Sequence, residues 1–384
     1  MFIESIITYF FLITSMLIFG VNYYYNSNKF IINNIDKRSF WRLDIILPIL
    51  IFSTIFGMRY DVGVDYFSYL NSYLTKTHVG KNEYLFYFLS DLSWYFKLHF
   101  SIYFGIIAFL QILFFYLSFK NNRYLYPFLI FFLFTNGSFL FWMNGIRQAL
   151  ALCIWLYSLK YIVSRNFYMY LLFICIIFMV HRSSIILLIF YPLLVGNRDY
   201  FKNIKIQLIL LLLAFLLRSI FFTLILKLES VFTLYVSILG DGLYDSYSME
   251  NLIDGFVESN GSGLAVYFKL LVNIIIILES KKLKKFYNNK YFIICYFFFF
   301  IGILAKYIIP DGAVALSRPF RYFYIFDTII YSFFTYYLCR NFNKINNKLK
   351  YFAMIIAFAL IFCLSQFSAT KNSHSLFQFY FNNH

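Results

Sequence analysis

Charged residues are scarce in this sequence. Only 13% of its 384 residues are charged, whereas 62% are hydrophobic. A chain with so little charge cannot fold as a soluble globule, so the composition excludes that class. Apolar runs close to the roughly 20 residues that a helix needs to cross hydrocarbon recur along the chain. We therefore expect an all-α, polytopic integral membrane protein that forms a single domain over residues 1–384.

Cysteine is also scarce, and the usual motifs of metal and nucleotide sites are missing. The sequence shows no Walker loop, and its glycine patterns are not phosphate-binding loops. The cysteines lie within or at the ends of apolar segments, at no metal-like spacing, so we predict neither disulfides nor zinc. We expect no metal and no cofactor. The five cysteines are Cys153, Cys175, Cys295, Cys339 and Cys363.

Acidic residues are outnumbered by basic ones, which gives a formal net charge of +16. In a soluble protein this excess would suggest nucleic acid, but here it lies in short loops between apolar runs. Basic loops of this kind mark the cytoplasmic side of a membrane protein, and we expect no nucleic-acid partner. The most basic loop, KKLKKFYNNK at 281–290, is predicted to be cytoplasmic and to contact anionic membrane lipid.

Counting apolar runs against loop charges predicts about 12 transmembrane helices. The span at 124–141 is expected to break at Asn136, Gly137 and Ser138, near its outer end. Segment 83–97 is apolar but interrupted by Asp91, and we interpret it as an interfacial or re-entrant helix. The acidic stretch 227–263 is predicted to lie outside, either as a solvated cap or as a mobile lid. The predicted spans are 6–24, 45–56, 101–119, 124–141, 147–160, 167–180, 183–195, 206–226, 263–279, 291–309, 322–338 and 351–368.

Four polar clusters interrupt the apolar pattern, and this topology places all of them on the outer face. The first is GMRYDVGVDYFSYL at 57–70, and the second is WMNGIRQALA at 142–151. HRSS at 181–184 and SRPFRYF at 317–323 follow. Each has an ordinary alternative: an interfacial aromatic belt, a snorkelling arginine or a hydrogen-bonding histidine. Their common side nevertheless favours a shared site, because charges at a membrane face often mark function.

Several arginines at one membrane face suit a diphosphate, because guanidinium is always charged and makes paired hydrogen bonds to phosphate oxygens. A lipid-linked diphosphate sugar is the natural ligand. Asp65 or His181 could take the proton of an acceptor hydroxyl, and the sequence leaves both open. The catalytic candidates are His181, Asp65 and Arg147. The candidates for substrate binding are Arg59, Asp61, Tyr66, Tyr69, Glu83, Asn144, Gln148, Arg318, Arg321 and Tyr322.

The same segments resemble a known family. RYDVGVDYFSY at 59–69, Glu83 at the start of EYLFYFLSDL, NGIRQALAL at 144–152, HRSSIIL at 181–187 and SRPFRYF at 317–323 are similar, in this order, to the EpsG-type, Wzy-like polysaccharide polymerases. Two positions depart from the family pattern: Val64 stands where threonine is frequent, and Tyr84 where proline is common. A hydroxyl at position 64 is therefore not assumed to be essential.

The resemblance implies a membrane glycosyltransferase of the bacterial cytoplasmic membrane with an outward-facing site. Such an enzyme would join undecaprenyl-diphosphate-linked oligosaccharide repeats for a capsule, O-antigen or exopolysaccharide. Membrane lipid and a chain-length regulator protein are the expected partners. A flippase or transporter of the same lipid-linked oligosaccharide is the alternative, although charges should then line a path through the membrane. An O-antigen ligase would share donor and outer face. An O-acetyltransferase is disfavoured, because we see no histidine near the inner side.

Overall fold

The computed structural model describes residues 2–27, 31–32, 35–36, 39–80, 82–227, 263–309, 317–369 and 374–383. Helices dominate, as expected, and one antiparallel hairpin of two-residue strands, β1 (Ile31–Ile32) and β2 (Ile35–Asp36), lies between the first two helices. Most of the predicted lid, residues 228–262, lies outside the described residues, as does 310–316. The first nine helices are α1 (Phe2–Ser27), α2 (Leu43–Gly57), α3 (Tyr66–Leu74), α4 (Tyr84–Tyr95), α5 (Phe100–Ser118), α6 (Tyr126–Thr135), α7 (Ser138–Asn144), α8 (Ile146–Val163) and α9 (Phe167–Val180).

The second half of the chain continues as helices. A 3₁₀ segment, Arg182–Ile189, leads into the remaining ones, and a second, Arg318–Phe320, precedes the helix at Arg321. These helices are α10 (Phe190–Leu194), α11 (Ile204–Lys227), α12 (Leu264–Tyr287), α13 (Lys290–Ile308), α14 (Arg321–Arg340) and α15 (Ile345–Phe367).

The helices establish a polytopic membrane protein. In the described part of the chain, five are long and apolar enough to cross a bilayer: Phe2–Tyr24, Phe100–Ser118, Ile146–Val163, Lys290–Ile308 and Ile345–Phe367. A sixth is obtained if α6, with its preceding turn, and α7 form one span broken by a 67° bend. A break at Asn136–Ser138 was expected from sequence and is confirmed. Every predicted span overlaps a helical segment, but the number 12 stays a prediction.

Two helices extend beyond their predicted spans, and a third, α4, is as short as a non-spanning segment should be. Helix α12 continues to Tyr287 rather than ending near Glu279, so most of the basic run 281–290 is helical and not a loop. Lys348 and Lys350 likewise lie within α15. Helix α4 has 12 residues and reaches about 18 Å, which is too short for about 30 Å of hydrocarbon. An interfacial or re-entrant position for it stays a prediction.

The chain forms two compact units, Met1–His181 with Tyr331–His384, and Arg182–Ile330. In the first unit, α5 packs between α2 and α8. Helices α2 and α5 are in close contact at Gly57. A Cβ on this residue would collide with the backbone of Ser101 and Gly105. Small residues allow this kind of contact between membrane helices. It fixes the end of α2 and the polar loop that follows.

In the second unit, α11 packs on α13, and the Tyr296 hydroxyl of α13 donates to the Gln207 side chain of α11 at 2.6 Å. Both groups are buried, so this hydrogen bond aligns the two helices at the end near residue 290. The same end carries the turn at 195–203 and the junction between α12 and α13.

Candidate active site

Three helix ends in the first unit meet at one carboxylate. Glu83 directly precedes α4, Arg147 lies in the first turn of α8, and His181 directly follows α9. A carboxylate is favoured at a helix N-terminus and an imidazolium at a C-terminus, whereas a cation in a first turn is disfavoured. Glu83 therefore supplies the negative charge that Arg147 needs at this position.

Glu83 binds both partners with its two oxygens. Its Oε1 accepts from His181 Nδ1 at 2.8 Å, and its Oε2 accepts from Arg147 Nη1. All three residues are buried, Glu83 completely. A buried carboxylate is stable as an anion only when it is paired and hydrogen-bonded in this way. We call Glu83, Arg147 and His181 the Glu-Arg-His cluster.

The contact with Glu83 fixes the tautomer of His181. An ionised carboxylate only accepts hydrogen bonds, so Nδ1 carries the proton and Nε2 of the neutral ring has a free lone pair. Nε2 is buried and has no hydrogen-bond partner among the described residues. A histidine oriented by a carboxylate, with its other nitrogen available, is the arrangement of a general base.

Arg147 is held by more than Glu83. Its Nε donates to the Tyr69 hydroxyl at 3.3 Å, and Nη1 also lies 3.5 Å from the Val79 carbonyl. Gly80, at φ +90°, passes directly beside the guanidinium, and a Cβ at this residue would collide with it. The backbone at 79–80 thus closes over the cluster at a point that only glycine permits.

The charges in the cluster act on two titrating groups. Burial alone would raise the pKa of the Glu83 carboxyl, but Arg147 and His181 outweigh it and hold that pKa below its ordinary value. Burial raises the pKa of Tyr69, against the opposing effect of Arg147. At neutral pH Glu83 is therefore an anion, whereas Tyr69 is a neutral phenol.

Asp65 and Asp61 lie in the loop between α2 and α3. The backbone N–H of Asp65 donates to the Asn144 side chain at 2.8 Å, which joins this loop to the junction between α7 and α8. The Asp65 carboxylate is half-buried. Asp61 contacts His374 of the C-terminal segment, with Oδ1 and Nδ1 2.7 Å apart. Asn144 therefore positions the loop backbone, and Asp61 holds the C-terminal segment.

Arg59, a sequence candidate for binding diphosphate, is buried in the first unit. Its guanidinium is 2% exposed and donates to the Phe56 and Met143 carbonyls at 2.6 and 3.2 Å. It also lies over the rings of Phe104 and Tyr66, 4.8 and 5.8 Å from their centroids. These contacts use Arg59 and the Tyr66 ring inside the fold. Both residues therefore support the loop, and their role in substrate binding stays a prediction.

The remaining candidates divide between the units. Gln148 is buried in α8 of the first unit, next to Arg147 in sequence. Arg318, Arg321 and Tyr322 belong to the second unit, where the Tyr322 and Ser183 hydroxyls lie 3.2 Å apart. Both arginines are partly exposed. Their role in substrate binding stays a prediction.

Sequence reasoning missed the place of Glu83 at the centre of the cluster. It placed Glu83 among the candidates for substrate binding. The pairing itself was missed because it spans 64 residues to Arg147 and 98 to His181. No helical or strand periodicity reports contacts over such separations. One usable signal was present: Arg147 opens a helix, where an unpaired cation is unfavourable. A buried acidic partner was therefore to be expected.

The fold is that of a helical, polytopic membrane protein. Its candidate site is a buried carboxylate, Glu83, that accepts a hydrogen bond from His181 where three helix ends meet. The family model of the EpsG family matches residues 42–381, and the chain belongs to this family. The resemblance of the polar motifs is thereby confirmed. Family membership indicates a polysaccharide polymerase-like role. Neither a curated protein nor a solved structure matches the chain.

Proposed function

We propose that this protein polymerises undecaprenyl-diphosphate-linked oligosaccharide repeats at the outer face of the bacterial cytoplasmic membrane. The product is a capsule, O-antigen or exopolysaccharide. Membership of the EpsG family supports the polymerase class. The observation that carries the chemistry is His181, whose Nδ1 is bound by Glu83 while Nε2 has no hydrogen-bond partner in the described part of the chain.

In the proposed reaction, a hydroxyl oxygen of the acceptor sugar attacks the anomeric carbon of the donor saccharide. The bond from that carbon to the diphosphate oxygen breaks, and its electron pair leaves with undecaprenyl diphosphate. His181 Nε2 takes the hydroxyl proton, and the Glu83 carboxylate stabilises the resulting imidazolium. The donor diphosphate is the leaving group, so the bond energy comes from the substrate.

Arg147 acts in this proposal as a positioning residue. Its contact with Glu83 keeps the carboxylate ionised, and only the ionised carboxylate fixes His181 Nδ1 as the protonated nitrogen. The site is closed around Nε2, so neighbouring side chains move when the acceptor enters. Catalytic hydrogen bonds often form only in the complex with substrate.

The diphosphate is proposed to bind Arg318 and Arg321. Both side chains are partly exposed, and guanidinium groups make paired hydrogen bonds to phosphate oxygens that lysine cannot reproduce. The proposed topology of 12 spans and an interfacial α4 places these arginines and the Glu-Arg-His cluster on the same side. Asp65 is the alternative base, since its carboxylate is half-buried in the same unit as His181.

Deleting the gene and complementing it with variants tests the reaction class by glycan analysis. With wild-type protein we expect polymer, and with His181→Ala we expect single repeats on the lipid carrier, exposed outside. Lipid-linked repeats retained on the inner side would indicate a flippase. Finished polymer left on its lipid would indicate a ligase. Normal polymer from His181→Ala, together with none from Asp65→Asn, would transfer the role of base to Asp65.

A further inference from the structure

A pocket of about 240 Å³ opens at one end of the second unit, where the turn after α10 meets the junction between α12 and α13. It is separate in sequence from the motifs that led to the proposed function. Its size lies below the ~300–1,000 Å³ of sites that hold drug-sized ligands, so it fits a small headgroup rather than an oligosaccharide. We call it the headgroup pocket. Its lining residues include Gly196, Asn197, Arg198, Asn288, Asn289 and Lys290.

The pocket carries an excess of positive charge. Arg198 and Lys290 line it, and so does one carboxylate, Asp199. Both oxygens of Asp199 bind Lys284 Nζ, at 2.8 and 2.9 Å. That ion pair neutralises Asp199, so Asp199 does not offset the charge of Arg198 at the pocket. An anion is therefore favoured in the pocket.

The lysine and the helix end that border the pocket are held in place. Lys290 Nζ donates to the Val195 carbonyl at 2.6 Å, which joins the two turns across the pocket. The Asn289 side chain accepts from the N–H of Phe292 and begins α13. The positive end of that helix dipole adds to the attraction of an anion. The cationic rim is thus built by the fold.

The inner lining of the pocket is apolar. Leu194, Ile294 and Phe297 also line the pocket, and all three are nearly buried. Phe297 packs against the ring of Phe201, with centroids 5.5 Å apart. A ligand that fits both parts has a negative headgroup and an apolar body. Anionic phospholipid has that chemistry, and it surrounds a membrane protein at high concentration.

We propose that the headgroup pocket binds the phosphate of an anionic phospholipid through Arg198 and Lys290. In the predicted topology this end of the unit faces the cytoplasm, where basic segments meet anionic lipid. The pocket would anchor the second unit to the membrane surface, a role independent of the proposed polymerase reaction.

Native mass spectrometry of the full-length protein in detergent tests the proposal, with phosphatidylglycerol as the probe. We expect saturable binding to the wild-type protein. The double variant Arg198→Gln/Lys290→Gln should bind about tenfold more weakly or worse, because charge-assisted hydrogen bonds to phosphate are lost. Lys281→Gln with Lys285→Gln removes two exposed charges of the same basic segment. This control is expected to change binding about twofold or less.

Equal losses in both double variants would overturn the pocket in favour of diffuse attraction. Phosphatidylcholine binding as tightly as phosphatidylglycerol would overturn the requirement for an anion. Glycerol 3-phosphate binding as tightly as the lipid would show a soluble anion site instead. If Lys290→Gln lowers folded yield, Arg198→Gln alone gives the same comparison at an exposed position, and unchanged binding there contradicts the proposal.

Discussion

At the scale of single residues, Glu83 joins the candidate site together, because its carboxylate binds both Arg147 and His181. It is completely buried, yet the contacts of Arg147 and His181 keep its pKa below the ordinary value. A folded-state pKa below the unfolded-state pKa means that Glu83 contributes stability above the unfolded pKa. That contribution is lost as the pH falls through the folded pKa.

This linkage predicts how Glu83→Gln behaves in thermal unfolding of the purified protein. At pH 7 the variant should be less stable by about 1–3 kcal/mol, because a charge-assisted pair is replaced by neutral hydrogen bonds. The difference from wild type should shrink as the pH falls below about 4.3. Asp91→Asn is the matched control, since Asp91 pairs with His78 at an exposed site, and should cost less than about 1 kcal/mol. A difference that stays constant down to pH 3 would contradict the assignment.

Arg59 is predicted to matter for stability. Arg59→Ala leaves the buried Phe56 and Met143 carbonyls without their donor, at about 1–3 kcal/mol for each unsatisfied group. Denaturant or thermal unfolding in detergent should show this loss, while Lys120→Ala, at an exposed position, should not. A stable Arg59→Ala protein that makes no polymer would instead restore Arg59 as a ligand-binding residue.

At the scale of elements, the sequence predicted the helices better than their contacts. Apolar runs and loop charges located the helical segments, including the interruption at Gly137, because local composition and backbone preference decide both. The C-terminal end of α12 and the N-terminal end of α15 extend beyond the predicted spans. The prediction failed there because lysine is a good helix former, and because basic loops indicate the side of the membrane and not the secondary structure. The partners of Glu83 and Asp61 lie far along the chain, where local patterns carry no information.

The C-terminal segment 374–383 is an element whose role emerges only from the structure. Its backbone pairs with the loop after α2 through Tyr60 N–H to Gln378, Gly63 N–H to His374 and Tyr380 N–H to Met58, at 2.8, 2.8 and 3.1 Å. Phe377 is fully buried. The segment therefore holds the loop that carries Asp65.

Ending the chain after Ala369 should therefore destabilise the polar loop. The three backbone hydrogen bonds alone are worth about 2–4 kcal/mol together. Limited proteolysis should cut the loop at 58–65 faster in the truncated protein, and chain extension should fall. Phe381→Ala is the control, since that side chain is 53% exposed. Unchanged protection of the loop after truncation would show that the pairing contributes little.

At the scale of the whole molecule, the predicted orientation can be measured with single cysteines in a Cys-less background. Val64 is 68% exposed and Lys285 is also exposed, so both suit an impermeant thiol reagent. The loop charges predict that Val64→Cys is labelled in intact cells and that Lys285→Cys is labelled only after the membrane is opened. The reverse pattern would invert the topology and remove the outward-facing site.

In the proposed reaction His181, oriented by Glu83, takes the proton of the acceptor hydroxyl. Chain extension by purified protein in vesicles, with a lipid-linked repeat as substrate, measures it most directly. We expect His181→Ala to lower the rate of extension about 10²–10⁴-fold and added imidazole to restore part of it. His78→Ala, at an exposed histidine, should extend normally. Full-length polymer from a stably folded His181→Ala protein without imidazole would contradict it.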